Sequence, residues 1–279
     1  MKIPFTKAHG ARNDFLLTWR DQLPPELSDF AAAAVAICDR HTGAGADGWL
    51  LVSMNDGGAV GAAVGAADGA ADGAIDLWNS DGSRSEMSGN GTRCAAALLI
   101  ESGCAGEQVS IVTGAGLKRL RLLERHGSTF FFEMNMGRAV IEELHASAEE
   151  RDAVILNVGN PQCAVLVEHL NFDWQAMGAR LSRHPRFPHG ANVSFVRVVD
   201  RHAIEVRFFE RGAGETMSSG TGSTGAVAAA GARGLVETPV RVLTPAGPLD
   251  LRWDGEDILL SGPAEIVATG EFYWEGKQS

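Results

Sequence analysis

One pattern occurs twice in the sequence, and this repeat constrains the fold more than any other feature. The segment "SGNGTRCAAA" begins at Ser88 and "SGTGSTGAVAAAG" begins at Ser219, an offset of 131 residues (219 − 88 = 131). At the same offset, Thr113 of "VSIVTGAG" aligns with Thr244 of "VRVLTPAG" (244 − 113 = 131). Two matches at one offset indicate an internal duplication. The chain is therefore predicted to fold as two similar halves.

Residue patterns predict the elements of each half. Segments rich in β-branched and aromatic residues are predicted as strands: "WLLVSM", "AIDLWNS", "TFFFEMNM", "AVILNVG", "CAVLVEH", "NVSFVRVV" and "AIEVRFFE". Helical periodicity and end signals predict four helices: "LSDFAAAAVAICDR", "TRCAAALLIESG", "FDWQAMGARLSRH" and "STGAVAAAGARG". Because strands outnumber helices and each half has one long helix, we predict an α+β fold. Each half is expected to be a strongly bent, mostly antiparallel sheet around a central helix, with the halves related by a pseudo-twofold axis.

Local composition suggests where the halves meet along the chain. The charged segment "RLLERHGS" breaks at Gly127. We predict an N-terminal half of residues 1–124 plus 268–279 and a C-terminal half of residues 125–267. Residues 57–75 form a Gly/Ala/Asp stretch between two predicted strands. We interpret it as a long hairpin excursion, a flexible insertion in preference to a functional lid.

Charge and cysteine content narrow the ligand class. A net charge of −11 makes a nucleic-acid partner or an anionic membrane surface unexpected. The segment "MKIPFTKAHG" has no signal-peptide pattern, and no run of about 18 apolar residues indicates a membrane span. The four cysteines have no CxxC or metal-site spacing, so buried free thiols and no metal are expected. We expect a cytoplasmic protein with a small-molecule ligand.

The two glycine-rich turns have the form of anion-binding helix starts. Glycine lets the backbone turn tightly, and the first N–H groups of a helix bind carboxylate or phosphate. The predicted donors are the amides of Gly89, Asn90, Gly220 and Thr221. If the halves face each other across a cleft, both turns can hold one anionic group. The alternative is that both turns are ordinary helix caps, because serine is a favoured N-cap.

Polar residues near these turns suggest that the anion is an amino acid. Asn79 and Glu210 occupy equivalent places in the repeat (210 − 79 = 131), and Arg211 follows. "GARNDF", "VGNPQ" and "GANVSF" add Asn13, Asn160 and Asn192. Singly, each asparagine is typical of a turn. Together they offer carboxamides and a carboxylate for an ammonium group, and an arginine for a carboxylate. No nucleotide-binding fingerprint is present.

These segments resemble the diaminopimelate epimerase family from end to end. The matching segments are "FTKAHGARNDFLL", "CDRHTGAGADGWLLV", "NSDGSRSEMSGNGTRC", "VGNPQC", "NVSFV" and "ERGAGETMSSGTGSTGA". The resemblance implies epimerisation of LL- and meso-diaminopimelate, in lysine and peptidoglycan precursor synthesis, with no metal or pyridoxal phosphate. It implies two opposed cysteines, of which one removes the α-proton and the other reprotonates the opposite face. Members of the family often form dimers, so a homodimer is expected.

The sequence departs from that family at the reactive positions. Serines, Ser88 and Ser219, stand where the family has its cysteines. Gln162 replaces the auxiliary histidine of "GNPH", and Gly48 replaces a substrate-contacting glutamine of some members. The resemblance places Ser88 and Ser219 at the proton-transferring positions on opposite faces of Cα, and it places Glu210, which is also a candidate catalytic base, among the binding residues. It assigns substrate binding to Asn13, Asn79, Gly89, Asn90, Asn160, Gln162, Asn192, Arg211, Gly220 and Thr221.

A serine needs help to do the work of a thiol. A free thiol has a pKa of about 8.5, and a helix N-terminus lowers it further. A hydroxyl is a far weaker acid and requires an adjacent base; loss of general-base catalysis costs on the order of 10²–10⁴ in rate. The sequence offers Glu210, Glu215 and His9 as replacement bases.

Three explanations for the serines stay open. In the first, both cysteines were replaced by serine in the laboratory to trap a substrate complex. Gln162 argues against this explanation, because such a replacement would leave the auxiliary histidine in place. Alternatively, this is a divergent epimerase that uses another base. In the third explanation the scaffold serves a different isomerase or lyase reaction, as in the phenazine-biosynthesis isomerase group, or binds an amino acid without turnover.

Overall fold

A computed structural model describes residues 1–54 and 71–275. Contacts between residues divide the chain into two units, Met1–Glu133 with Pro263–Ser279, and Met134–Gly262. These bounds differ from those of the predicted halves. The charged segment that marks the predicted boundary belongs to a strand up to His126, and Gly127 lies in a tight turn with φ +60° between two strands. Residues 57–70, most of the predicted hairpin excursion, lie outside the described residues.

The first unit is a mixed sheet with two helices. Its strands are β1 (Lys2–Gly10), β2 (Asn13–Trp19), β3 (Gly48–Met54), β4 (Gly73–Asn79), β5 (Arg84–Ser85), β6 (Gln108–Thr113), β7 (Gly116–His126) and the start of β8 (Thr129–Arg138). Its helices are α1 (Phe30–Cys38) and α2 (Gly89–Glu101), with a 3₁₀ turn at Arg20–Gln22. Strand β2 runs parallel to β3 and β4 runs parallel to β6, while the remaining pairs from β1 to β7 are antiparallel.

The second unit repeats this topology. Its strands are β9 (Val140–Ala148), β10 (Arg151–Asn157), β11 (Pro161–Leu166), β12 (Asn192–Asp200), β13 (Ala203–Glu210), β14 (Gly214–Thr216), β15 (Val240–Thr244), β16 (Gly247–Asp254) and the start of β17 (Asp257–Tyr273). Its helices are α3 (Trp174–Ser182) and α4 (Gly220–Ala232). Here β11 runs parallel to β12 and β13 parallel to β15, and a helix lies in each crossover.

The duplication predicted from the sequence is confirmed at the level of single hydrogen bonds. Helices α2 and α4 have equal length and begin 131 residues apart (220 − 89 = 131). Thr113 donates its hydroxyl to the Gly116 carbonyl at 2.8 Å, and Thr244 donates to the Gly247 carbonyl at 2.6 Å. Both threonines close the turn of the hairpin that follows the crossover helix.

The two long helices are the centres of their units. All residues from 89 to 99 in α2 and from 220 to 230 in α4 are buried. Helix α2 packs on β1, β2, β3, β4 and β6, and α4 packs on seven strands of the second unit. A helix that is enclosed on all sides needs small and apolar residues all round, which explains the runs "CAAALL" and "AVAAA". The predicted α+β class, with a sheet around a central helix in each half, is confirmed.

All four predicted helices and all seven predicted strands are present in the structure. The sequence patterns did not predict every strand: those missed are β1, β2, β5, β7, β9, β14, β16 and β17. Strand β1 is an example, because a proline and two lysines interrupt the apolar pattern of "KIPFTKAHG". It is extended because it pairs on both sides, with β2 and with β17. Among the described residues, no helix has the length and apolar character needed to cross a bilayer.

Candidate active site

In the second unit, Ser219 is the N-cap of α4 and lies against a carboxylate. Its hydroxyl accepts a hydrogen bond from the Gly222 amide at 3.0 Å and donates one to Glu210 Oε1. Ser219 is only 3% exposed, and Glu210 is half-buried. The serine thus has the adjacent base that an isolated hydroxyl lacks.

The local chain path explains why these two side chains meet. Strand β13 ends at Glu210, and the chain turns back through Gly212 and Gly214, which have φ of +83° and +77°. Strand β14 pairs Glu210 with Gly214 and then leads directly into α4. The hairpin therefore returns the helix N-terminus to the end of β13. The positive end of the helix favours a carboxylate at this place.

The hydrogen bonds around Ser219 define what its oxygen can do. A hydroxyl oxygen has one proton and two lone pairs. The proton is donated to Glu210, and one lone pair accepts from the Gly222 amide. The second lone pair has the capacity to accept a proton from a ligand while the hydroxyl proton passes to Glu210. The pair can therefore act as a general base.

The two other candidate bases have different surroundings. Glu215 is exposed and accepts a long hydrogen bond from Gln175 at 3.4 Å. His9 in β1 lies 3.6 Å from Glu265, and its buried Nδ1 has no hydrogen-bond partner. Among the described hydrogen bonds, neither residue reaches Ser88 or Ser219. Of the three predicted bases, the structure brings Glu210 alone to a serine.

Carboxamides of the second unit gather at the first turn of α4. Gln162 donates from Nε2 to Asn160 Oδ1 at 2.5 Å, and Asn160 donates to the Thr221 hydroxyl at 3.5 Å. Gln162 is 1% exposed, and its Oε1 has no hydrogen-bond partner. The three predicted residues therefore form one connected group beside the helix start.

Asn192 and Arg211 form a second pair in this unit. Asn192 Oδ1 accepts from the Arg211 amide at 2.9 Å. The Arg211 guanidinium donates to the His189 carbonyl at 3.0 Å, and its stem packs against Gly190. Asn192 thus fixes the backbone immediately after Glu210.

In the first unit, Ser88 is the N-cap of α2 and has a different neighbourhood. It is half-buried and accepts from the Gly91 amide at 3.1 Å, as Ser219 does from Gly222. No carboxylate hydrogen-bonds it in the described part of the chain. Asn79, at the repeat position of Glu210, donates from Nδ2 to the Ser83 hydroxyl at 2.9 Å. The repeat thus supplies a base to one serine and not to the other.

Asn13 and Asn90 of this unit bond to each other. Asn90 Nδ2 donates to Asn13 Oδ1 at 3.1 Å, and Asn13 Nδ2 donates to Asp47 Oδ2 at 2.7 Å. Gly48 follows Asp47, and a Cβ there would lie 3.0 Å from the Trp78 carbonyl. A larger residue at position 48 would have to displace this backbone.

Arg93 belongs to the same group, although no motif pointed to it. Its Nη2 donates to Asn90 Oδ1 at 2.5 Å, and its Nε donates to the Pro263 carbonyl at 3.1 Å. The side chain is fully buried, and burial lowers the pKa of its guanidinium to about 10. A cation within an alanine-rich helix, with Thr224 at the repeat position (224 − 131 = 93), was the available signal.

The thiols of the chain lie at positions other than those of the two serines, and most of them are buried. All four are free, and three of them (Cys38, Cys94 and Cys163) are buried. Burial raises the pKa of each of these three thiols to about 12. Cys104 is half-buried and donates to the Met54 sulfur at 3.3 Å. Within residues 1–54 and 71–275, no group of three or more His, Cys, Asp or Glu side chains is arranged to hold a metal ion.

Comparison with known proteins places these features in a family. The family model described as diaminopimelate epimerase matches residues 5–142 and 154–271. A diaminopimelate epimerase of Pelotomaculum thermopropionicum is 35% identical over 96% of this chain and 98% of its own length. One of Xanthomonas axonopodis pv. citri is 36% identical over 97% of this chain and 96% of its own.

Solved structures share the fold at low sequence identity. A phenazine biosynthesis protein of the PhzF family from Bacillus anthracis has a TM-score of 0.72 and 16% identity, covering 97% of this chain and 99% of that one. A hydroxyproline epimerase from Agrobacterium vitis has a TM-score of 0.69 and 17% identity, covering 97% and 92%. The chain therefore shares its fold with both of these proteins.

Proposed function

Because the chain belongs to the diaminopimelate epimerase family, we propose that it is a cofactor-independent epimerase acting on LL- and meso-diaminopimelate. It is an isomerase, and its place would be in lysine and peptidoglycan precursor synthesis. The observation that supports this proposal most is the hydrogen bond from Ser219 to Glu210. The proposal concerns the substrate and the role of the two serines.

Removal of the α-proton is assigned to Ser219 and Glu210. The Cα–H bond breaks, its proton goes to Ser219 Oγ, and the hydroxyl proton of Ser219 moves to Glu210. The electron pair remains on the substrate as the enolate of its α-carboxylate. Glu210 ends as the neutral acid and returns its proton to water. General-base assistance of this kind is worth on the order of 10²–10⁴ in rate, which is the contribution that a lone serine lacks.

Return of the proton to the opposite face is assigned to Ser88, the second position at which the resemblance implies a proton-transferring residue. Its hydroxyl proton goes to Cα, and the resulting alkoxide takes a proton from water. The summed reaction moves no net charge and inverts the configuration. Because a hydroxyl is a weak acid, we expect this half-reaction to be the slower of the two.

Substrate binding is assigned to the helix starts and the carboxamide groups around them. The first N–H groups of α2 and α4, at Gly89, Asn90, Gly220 and Thr221, suit a carboxylate. Arg211 offers a guanidinium to a second carboxylate. Asn13, Asn79, Asn160, Gln162 and Asn192 would contribute carboxamides to the amino and carboxylate groups of the substrate.

A second candidate function follows from the asymmetry between the units. In the described residues a carboxylate hydrogen-bonds Ser219, whereas the repeat position beside Ser88 is Asn79. A single base can remove a proton from one carbon and return it on the same face, to that carbon or to a neighbouring one. That chemistry suits an isomerase that shifts a double bond or a lyase that forms one by eliminating a leaving group, and binding without turnover is the third possibility.

Isotope exchange separates these functions. LL- and meso-diaminopimelate are each incubated with the protein in D₂O, with Cα deuterium read by mass spectrometry and configuration by chiral chromatography. Epimerase activity gives deuterium together with interconversion of the two isomers. Exchange with full retention of configuration would support the single-base reaction. Binding with no exchange above the enzyme-free rate, at any pH, would contradict both catalytic proposals.

A further inference from the structure

Helix α2 contains a buried charge that the described structure leaves without a counter-ion. Arg93 is 0% exposed, and its two hydrogen-bonded nitrogens meet neutral oxygens, the carbonyl of Pro263 and the side-chain amide of Asn90. Its third nitrogen, Nη1, is buried and has no hydrogen-bond partner. Burying an unpaired charge is costly, so a retained one points to a use for the charge.

The acidic groups around α2 have other partners. Asp14 in β2 pairs with Lys7 and Arg40, and Asp47 pairs with Arg40 and Asn13. Asp76 in β4 bonds Arg20 and Arg84, and Glu265 in β17 lies beside His9. None of these described carboxylates hydrogen-bonds Arg93. The positive charge of the first unit's helix start is therefore not neutralised by the strands that pack on it.

The two repeats place opposite charges at matching helix starts. Arg93 has Thr224 as its counterpart, a neutral residue whose hydroxyl donates to the Gly220 carbonyl. Conversely Glu210, which bonds Ser219, has the neutral Asn79 as its counterpart. The repeats also differ in charge in the opposite sense at Glu86, which is Met217 in the second repeat, and at Arg211, which is Ser80 in the first. The two pairs of positions 93/224 and 79/210 change the charge in one sense. The Ser88 side gains a cation, and the Ser219 side gains an anion.

We propose that Arg93 is a positioning residue that makes the Ser88 helix start electropositive, so that in one direction of the epimerisation Ser88 acts as the proton donor and Ser219 as the proton acceptor. In the reverse direction the same two groups exchange these roles. Arg93 acts through Asn90. The side chain of Asn90 accepts a hydrogen bond from Arg93, and its backbone amide is one of the predicted anion-binding donors at the start of α2. A positive charge near Ser88 stabilises the alkoxide that remains after the hydroxyl donates its proton. A negative charge near Ser219 disfavours that same state and favours proton uptake. This assignment of direction rests on the proposed function, whereas the charge difference does not.

A purely structural role for Arg93 makes a different prediction. In that case the side chain serves to join α2 to the Pro263 carbonyl, and its loss lowers stability without changing the electrostatics at position 88. A thiol introduced at each serine position reports the local charge directly, because thiolate formation follows nearby charge. We therefore choose Ser88→Cys and Ser219→Cys, each as a single variant of the full chain.

The experiment measures alkylation of each introduced thiol by iodoacetamide as a function of pH, read by peptide mass spectrometry. We expect S88C to reach half-maximal alkylation at lower pH than S219C. Adding Arg93→Gln to S88C should reduce the thiolate fraction at pH 7 at least tenfold, and Arg93→Lys should restore most of it. The matched control is Thr224→Val in S219C, which alters the equivalent helix position without a charge and should leave the profile unchanged.

Two results overturn the inference. One is half-maximal alkylation of S88C at the same pH as S219C or at a higher pH. This comparison leaves Arg93 in place, so it does not depend on how well an Arg93 variant folds. The other is an S88C profile that Arg93→Gln leaves unchanged while melting temperature falls, which is the structural role. The thiol assay needs no turnover. The natural chain can therefore fail to exchange deuterium while the thiol profiles are as expected. That combination would reject the proposed function and would leave the charge difference between the two helix starts intact.

Discussion

Asn79 and Glu210 stand at one place in the two repeats, and each hydrogen-bonds a serine, Ser83 in the first case and Ser219 in the second. The backbone around them is the same. The Gly82 amide donates to the Asn79 carbonyl at 2.9 Å, and the Ala213 amide donates to the Glu210 carbonyl at 3.3 Å. Glu210 differs from Asn79 by one methylene and by an acid in place of an amide. With this difference, the side chain of Glu210 bonds Ser219 at the start of α4, whereas that of Asn79 bonds Ser83 within its own hairpin.

Glu210→Gln tests the base directly. The variant keeps the shape of the side chain and removes its capacity to accept a proton, so we expect exchange and epimerisation to fall on the order of 10²–10⁴-fold. The rates are measured by the deuterium assay, with circular dichroism to verify the fold. Glu215→Gln, an exposed carboxylate on the adjoining strand β14, is the matched control and should keep the natural rate. Equal rates for both variants would remove Glu210 from the mechanism.

The pair Ser88→Cys with Ser219→Cys tests the cost of the hydroxyls. Thiols ionise far more readily than hydroxyls at a helix start. We expect the double variant to exchange the α-proton of diaminopimelate faster than the natural chain by orders of magnitude. Calorimetric binding of meso-diaminopimelate serves as the control. A variant that binds and stays inert would show that the serines are not the sole reason for slow turnover.

Gly222→Ala tests the close approach beside Ser219. A Cβ at this position would lie 2.7 Å from the Phe208 ring and 2.9 Å from Ser219 Oγ. We expect a loss of about 1–3 kcal/mol in unfolding free energy through overpacking, together with reduced exchange. Urea denaturation measures the first quantity. Gly91→Ala is the repeat-matched comparison, because its nearest contact is 3.2 Å from the Leu50 side chain. A larger stability loss at Gly91 than at Gly222 would contradict the packing argument.

Arg40→Met tests a pH-dependent contribution to stability. Burial raises the pKa of Asp14, but hydrogen bonds from Arg40 and Lys7 outweigh it and hold that pKa below its usual value. A carboxyl whose folded pKa is depressed adds stability above its unfolded pKa, about 3.9, and this is lost as pH falls through the folded value. We expect Arg40→Met to cost about 1 kcal/mol at pH 7. The difference should shrink below about pH 4 in urea titrations. A cost that is constant from pH 7 to pH 2 would assign it to packing.

Thiol accessibility provides a further check on the structure. Cys38, Cys94 and Cys163 are buried, and burial raises the pKa of each to about 12. We therefore expect them to resist iodoacetamide at pH 8 in the folded protein and to react in urea. Cys104 is half-buried and should react in both conditions. Rapid native labelling of any of the first three would mean that its helix or strand opens readily.

The repeat allowed much of the fold to be predicted from the sequence. Two motifs at one offset predicted both central helices and the strands that end at Thr113 and Thr244. The positions of α2 and α4 follow from their glycine starts and alanine-rich bodies, which are local signals. Strand β1 was missed because its extended form depends on pairing with β17, near the other end of the chain, as well as with the adjacent β2.

The site was harder to predict than the fold. Glu210 was one of three candidate bases in the sequence, and its contact with Ser219 depends on how the β13–β14 hairpin returns to the helix. Arg93 was missed because a single cation in a helix usually lies at the surface. Its burial depends on Asn90 and the Pro263 carbonyl, which are contacts across 3 and 170 residues of chain.

Strand β17 contributes to both units, with its start paired to β16 and residues 265–273 paired to β1. Neither half of the gene therefore encodes a complete half of the protein. A fragment ending at residue 133 would leave β1 with a row of unpaired backbone groups, a template for association with other chains. The duplication visible in the sequence is thus no longer separable by cutting once, and any half-molecule must be assembled from discontinuous segments.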